Sequence, residues 1–307
     1  MNVLLIGNKF FGYTDRVANV MRDNHNVDLI YVFQRNTFQR LRFKVGIDLK
    51  EAESYYEKQI LKIEGKTYDR IVVFGGGIPA YFIKSLKLAQ QQAKYILYLS
   101  ADISSYKFTK DYLYLFDVCY SYSLNDSNIF GLTYRPWFYS EYNTKSSKDL
   151  DLSFVGTIHP SRLKILTFLY KESSVSKYFY IYSDKLSYVR SFFKWNVLRK
   201  SIHFKSLGYE DYLSLLARSI STLDIPAHGQ KNITTRPIEA LATSTKIITT
   251  NKSIEHYDFY DKNNIFIWYE NSSISDLKKW LEKPYKVVSL DILKKYQIKE
   301  WVNEILQ

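Results

Sequence analysis

Short unbroken runs of apolar residues alternate, twice along the 307 residues, with longer stretches of mixed character. A run that is apolar at every position suits a strand buried on both faces, and such strands belong to parallel sheets covered by helices. In the first half, strands are expected at residues 3–6, 27–33, 70–74, 95–99 and 118–121, with helices over 14–24, 49–63 and 79–92. Then comes Asn-Thr-Lys-Ser-Ser-Lys-Asp at 143–149, the most loop-like stretch of the chain. The pattern restarts beyond it. Strands are expected at 152–156, 178–182, 221–225, 246–250 and 265–268, and helices over 160–170, 209–218, 236–243, 274–281 and 290–306. The prediction is an α/β protein with a first domain over residues 1–140 and a second over 151–289. The terminal helix, 290–307, is a candidate to pack back on the first domain. A length of 307 residues accommodates two domains of ordinary size.

Composition narrows the classes of function. The net charge of +12 admits an acidic partner: nucleic acid, an anionic membrane or a phosphorylated substrate. The cations are spread along the chain rather than gathered into a basic arm, which argues against nucleic acid. One local cluster, residues 188–205, sets Arg190, Lys194, Arg199, Lys200 and Lys205 among Phe192, Phe193 and Trp195. That composition suits contact with anionic lipid, and equally a helix packed on its own domain. The single cysteine, Cys119, excludes an internal disulfide and a cysteine metal cluster, and its apolar neighbours suggest a buried thiol. His25, His159, His203, His228 and His256 form no ligand-spaced pair, and Asp149 and Asp151 sit in the linker, so no metal is expected. The N-terminus lacks a basic leader, and no apolar run approaches the ~20 residues of a membrane span. The expected location is cytoplasmic, at most peripheral on the inner face of the cytoplasmic membrane.

The chemistry concentrates in residues 224–251. An apolar run at 220–225 ends in a polar loop, and a helix then opens near Thr234, Thr235 and Arg236, with Pro237 at an early position where it costs no hydrogen bond. A helix start offers free N–H groups and the positive end of a dipole, which suits phosphate. Glu239 is expected in the first turn, where a carboxylate accepts from the vicinal hydroxyls of a ribose. Phosphate donors beside a diol acceptor describe a nucleotide-diphosphate site. The other reading, that Glu239 is a helix charge and Arg236 a surface residue, stands beside it.

This segment, with Glu239-Ala240-Leu241-Ala242, resembles the donor-binding segment of GT-B glycosyltransferases. Gln230, Thr234-Thr235-Arg236 and Glu239 resemble in particular a branch found in bacterial capsule and lipopolysaccharide (surface polysaccharide) gene clusters. Lys231 stands where many retaining members carry a second Glu. Phe154-Val155-Gly156, followed by Arg162, resembles the opening of the donor domain in the same enzymes, and residues 206–218 resemble a later helix of that domain. The resemblance implies two Rossmann-like domains facing each other across a cleft. It implies a ribose contact for Glu239 and a diphosphate contact for Arg162. Gly156, placed for close backbone approach, and Thr157, His159, His228, Gln230, Thr234, Thr235 and Arg236 complete the expected donor site.

The first domain is expected to hold the acceptor. Lys9, Phe10 and Phe11 follow the first strand, with aromatic rings suited to stacking on a sugar. Gly76 and Gly77 lie in a glycine loop that fits neither the Walker nor the dinucleotide spacing, and are expected to let an acceptor approach the backbone. Asp102 follows a strand and is the candidate general base, or else an ordinary turn carboxylate. Trp137, in a Pro-Trp-Phe-Tyr segment at the domain junction, is read as packing. The implied activity is metal-independent transfer of a sugar from a nucleotide-sugar donor to a saccharide acceptor, lipid-linked or part of lipopolysaccharide, with no cofactor. The alternative is a nucleotide-sugar-binding or scaffold subunit without catalysis.

Overall fold

A computed structural model describes residues 1–9, 11–34, 50–106, 109–140, 146–191, 195–226 and 232–307, except the side chains of 109–111 and 190–191. The chain forms two compact units: Met1–Pro136 with Val302–Gln307, and Trp137–Trp301.

The first unit contains, in order, β1 (Asn2–Gly7), α1 (Tyr13–Arg22), β2 (Asn26–Tyr31), α2 (Lys50–Lys62), β3 (Arg70–Phe74), α3 (Ala80–Ala89), β4 (Lys94–Leu99), β5 (Val118–Ser121), α4 (Leu124–Phe130) and β6 (Thr133–Tyr134), with two 3-10 segments between β4 and β5. Its six-stranded sheet has the order β2-β1-β3-β4-β5-β6, with every pairing parallel. Val3, Leu4, Leu5 and Ile6 are all fully buried, so both faces of β1 are covered, as an unbroken apolar run requires. One face packs on Tyr56, Phe82, Ile83 and Leu86 of α2 and α3.

The second unit begins with β7 (Leu150–Thr157), α5 (Pro160–Lys171), β8 (Lys177–Tyr182), α6 (Lys185–Ser191), β9 (Ile202–His203), α7 (Tyr209–Arg218) and β10 (Ser219–Asp224). It continues with α8 (Thr235–Ala242), β11 (Lys246–Thr249), β12 (Ile265–Ile267), α9 (Ile274–Leu281) and α10 (Leu290–Lys295). α11 (Ile298–Leu306) starts here, and its residues from Val302 onward belong to the first unit. The sheet order is β12-β11-β10-β7-β8-β9, again all parallel. Read from β9, this is third, second, first, fourth, fifth, sixth, the order of the doubly wound dinucleotide folds.

The single helix expected over 290–306 is broken. Tyr139 N donates to Tyr296 O at 2.9 Å, and Ile298 N donates to Tyr139 O at 3.0 Å. The extended segment at Tyr139 thus takes the carbonyl and the amide that would have continued the helix, and it bridges Gln297. Trp137 is buried against Phe138, as packing.

A buried cation closes the other end of the second unit. Lys246 Nζ donates to Trp280 O at 2.8 Å, to Leu281 O at 3.1 Å and to Lys283 O. It thereby satisfies carbonyls at the C-terminus of α9, and it lies 4.6 Å from the centre of the Trp280 ring. Lys246→Met removes the donor to all of them. The expected loss is about 1–3 kcal/mol of unfolding free energy, measured by urea titration.

Candidate functional site

In a doubly wound sheet, ligands bind beyond the carboxyl ends of the strands at the point where the strand order reverses. In the second unit that point lies between β7 and β10. Asp224, the last residue of β10, is 0% exposed. Its Oδ1 accepts from Thr234 Oγ1 at 2.7 Å and from Arg236 Nη1 at 2.8 Å, and its Oδ2 accepts from Thr249 Oγ1 at 3.2 Å. Arg236 Nη2 reaches across to Val155 O on β7 at 2.7 Å. The guanidinium therefore ties the two strands together where the order reverses.

The same bonds start α8. Thr234 is its N-cap, with Oγ1 accepting from Arg236 N at 3.2 Å while its hydroxyl proton goes to Asp224. The helix then runs from Thr235, so Glu239 is its fifth residue and not a first-turn residue as expected. Thr234 takes the cap, which moves Glu239 one residue along, from the fourth to the fifth position of the helix. There it is 1% exposed.

Arg162, on α5, comes to the same place. Nε donates to Ile225 O at 2.8 Å, and Nη1 donates to Thr157 O and Thr157 Oγ1, each at 2.9 Å. Its Nη2 makes no hydrogen bond among the described residues. Burial, followed by the neighbouring positive charge of Arg236 and opposed by Asp224, pulls its pKa down to about 10. Both guanidiniums lie near one ring: Arg162 is 5.9 Å and Arg236 5.5 Å from the centre of Phe154. Two close cations against one buried carboxylate leave a surplus of positive charge, which an anion would offset.

Phe154 also explains Gly156. A Cβ at position 156 would stand 2.6 Å from Cζ of that ring. The glycine expected to let a ligand approach makes room instead for the ring beneath the two arginines. Gly156→Ala is expected to cost about 1–3 kcal/mol by overpacking. Phe154→Leu should cost measurably less in that background than in the wild type, by at least about 0.5 kcal/mol in a double-mutant cycle.

The remaining donor-site expectations divide. His159 is the N-cap of α5, its Nδ1 accepting from Ser161 N at 3.3 Å and lying 2.8 Å from Ser161 Oγ. Thr157 is exposed and positions Arg162, and Thr235 opens α8. His228 and Gln230 lie outside the described residues. Asp224, Thr249 and Phe154 were not singled out from sequence. A lone acidic residue at the end of an otherwise uncharged strand was the available signal, because such a carboxylate needs a buried partner.

In the first unit the strand order reverses between β1 and β3. A Cβ on Gly75 (φ +105°) would meet Asn8 Nδ2 at 2.9 Å and Ser100 Oγ at 3.4 Å. A Cβ on Gly76 would fall 2.6 Å from the Tyr106 ring, whose hydroxyl lies 3.0 Å from Ser100 Oγ. The space expected for an acceptor beside Gly76 is therefore taken by Tyr106. Gly77 adopts φ +80°, a conformation that favours glycine. Lys9 Nζ lies 4.7 Å from the centre of the Tyr31 ring. Phe11 is 50% exposed and holds φ 46°, a costly conformation for a bulky residue. Phe10 lies outside the described residues. Asp102, past the carboxyl end of β4, accepts from Tyr122 OH on Oδ1 at 3.0 Å.

Of the basic-aromatic cluster, Trp195 is 2% exposed and belongs to the core of the second unit, so it is not an interfacial anchor. Phe192, Phe193 and Lys194 lie outside the described residues. Leu186, Val189, Val197 and Phe204 are exposed, as are Arg199, Lys200 and Lys205. Asp149 pairs with Arg218, and Asp151 accepts from Ser176 N at 2.8 Å, which commits both carboxylates of that sequence motif. Among the described residues no three His, Cys, Asp or Glu gather as metal ligands, and no helix is long and apolar enough to cross a membrane. Cys119 is half-buried rather than buried, and burial with the Asp117 charge raises its thiol to about 11.

The sequence matches no protein-family profile and no curated protein. Solved structures do match in fold. AviGT4, a glycosyltransferase of avilamycin A biosynthesis, aligns with 100% of this chain and 96% of its own at TM-score 0.65 and 11% identity. Anabaena HepE, in complex with UDP and glucose, aligns over 100% and 99% at TM-score 0.65 and 13% identity. The UDP-N-acetylglucosamine 2-epimerase of Rickettsia bellii aligns over 100% and 96% at TM-score 0.57 and 11% identity. Together with the two parallel six-stranded sheets, these matches define the fold as GT-B, with two Rossmann-like domains.

Proposed function

We propose that this chain is a glycosyltransferase that moves a sugar from a nucleotide-sugar donor to a saccharide acceptor. The observation that carries the reading is the pair Arg162 and Arg236, set on Phe154 where β7 and β10 diverge, beside the start of α8. That is a site for a diphosphate, and HepE, with the same fold, is a complex with UDP and glucose. The acceptor hydroxyl gives its proton to Asp102, and its oxygen forms a bond to the anomeric carbon. The bond from that carbon to the diphosphate oxygen breaks, and its electron pair leaves with the diphosphate. Arg162, Arg236 and the amides at Thr234–Thr235 meet the charge, with no metal assigned to the task. Glu239 is the proposed ribose contact, with Thr157, His159, His228 and Gln230 around the donor. Lys9, Phe10, Phe11 and Gly77 are proposed for the acceptor. An acceptor on a lipid carrier or lipopolysaccharide core, in bacterial surface polysaccharide assembly, suits a net charge of +12, which favours work beside anionic lipid.

A thermal-shift panel of UDP-, GDP-, CMP- and dTDP-sugars tests the donor site. One nucleotide class is expected to stabilise the wild type by about 2.7 kcal/mol at a hundred times Kd, and Glu239→Gln to lose most of that shift. No shift with any donor at millimolar concentration would reject the reading. A shift with turnover to an isomerised nucleotide sugar would favour an epimerase, the activity of one neighbour of the same fold. A shift without turnover would favour a non-catalytic binding subunit.

A further inference from the structure

The turn after β5 and the first turn of α4 each contact the Asp102 segment once. Tyr122 OH donates to Asp102 Oδ1 at 3.0 Å, and Asp126 Oδ2 accepts from Ile103 N at 2.7 Å. Tyr122 and Asp126 are both buried, so neither bond is exchanged readily for water.

The bond from Asp126 is not what its helix position dictates. Ser123 is the N-cap of α4, its Oγ accepting from Asp126 N at 3.1 Å. An acidic residue three positions past a Ser cap ordinarily reaches back to the N-cap amide. Here Ser121 Oγ accepts from Ser123 N at 3.1 Å. With that amide taken, the Asp126 carboxylate turns to the peptide that follows Asp102. One contact fixes the orientation of the Asp102 carboxylate and the other fixes the backbone behind it.

We infer that Tyr122 and Asp126 are positioning residues that hold Asp102 as a preorganised carboxylate at the carboxyl end of β4. The inference deepens the reading of Asp102 as general base and rests on it for its catalytic meaning. A base works only within hydrogen-bonding reach of the proton it takes, so a carboxylate clamped at side chain and backbone loses less when the reaction begins.

The test needs no substrate. In protein labelled with 13C-aspartate, the Asp102 carboxyl signal is assigned by its disappearance in Asp102→Asn. Tyr122→Phe is expected to shift that signal and to leave the other aspartate carboxyl signals in place. Hydrogen exchange at the Ile103 amide is expected to speed up at least tenfold in Asp126→Ala and to slow again in Asp126→Asn, whose amide oxygen still accepts. An unmoved Asp102 signal in Tyr122→Phe, or unchanged Ile103 exchange in Asp126→Ala, overturns the clamp. The base reading fails separately, if Asp102→Asn keeps turning over the nucleotide sugar that stabilises the protein. If the base reading holds, Tyr122→Phe lowers kcat about tenfold with KM unchanged.

Discussion

Asp224→Ala is expected to lower the unfolding free energy by about 3–5 kcal/mol, among the largest single losses available in the second unit. The carboxylate is 0% exposed and serves three donors at once: Thr234, Arg236 and Thr249. Its removal leaves a guanidinium whose side chain is 12% exposed without its counter-ion, and two hydroxyls without their acceptor. The loss would be read as a lower urea midpoint with an unchanged slope. The double variant Asp224→Leu with Arg236→Met separates fold from function, because an apolar pair of similar volume replaces a buried ion pair at little cost in stability. It should recover most of the lost stability and still fail to bind a nucleotide sugar. A single variant costing under about 1 kcal/mol would show that the pair is solvated and that β7 and β10 are held by other means.

That pair also marks where reading the sequence stops. The run at 70–74 appears as a strand with the expected bounds, because burial of Ile71 to Phe74 on both faces leaves no other pattern open to it, and 118–121 keeps its expected bounds although only Ser121 in it is buried. β9 has only two residues, Ile202–His203, and no periodicity can reveal so short a strand. α4 was readable and missed. Ser123 and Asp126 carry a capping spacing, and Gly131 at φ 65° ends the helix as a glycine should. The break in the last helix was not readable from its own residues, since it is Tyr139, more than 150 positions away in the chain, that claims Tyr296 O. Arg162 was marked by the resemblance to GT-B donor domains, and Gly156, Arg236 and Glu239 by that resemblance together with their places at a strand end and a helix start. That both arginines share the Phe154 ring depends on β7 lying next to β10, which only the assembled sheet supplies.

Arg162→Met is expected to lower kcat by about 100- to 1000-fold, some 2.7–4 kcal/mol of lost transition-state stabilisation. Three hydrogen bonds, to Ile225 O, Thr157 O and Thr157 Oγ1, fix its Nε and Nη1, while Nη2 makes none among the described residues. A donor fixed in advance does not reorganise as charge builds on a departing diphosphate, and burial keeps that charge poorly screened. Burial first, and then the second positive charge of Arg236, lowers the Arg162 pKa to about 10. A bound diphosphate offsets both costs, and most of all as its charge grows. Arg162→Lys should therefore recover only part of the rate. It keeps a cation, but a lysine cannot bond Ile225 and Thr157 and also present a free N–H in a rigid fork. Stability measured alongside controls for the lost bonds, because a purely structural arginine would lower the melting temperature and leave kcat per folded molecule unchanged. Full turnover in Arg162→Met would remove the diphosphate from this place and leave Arg236 and the α8 start to carry the site alone.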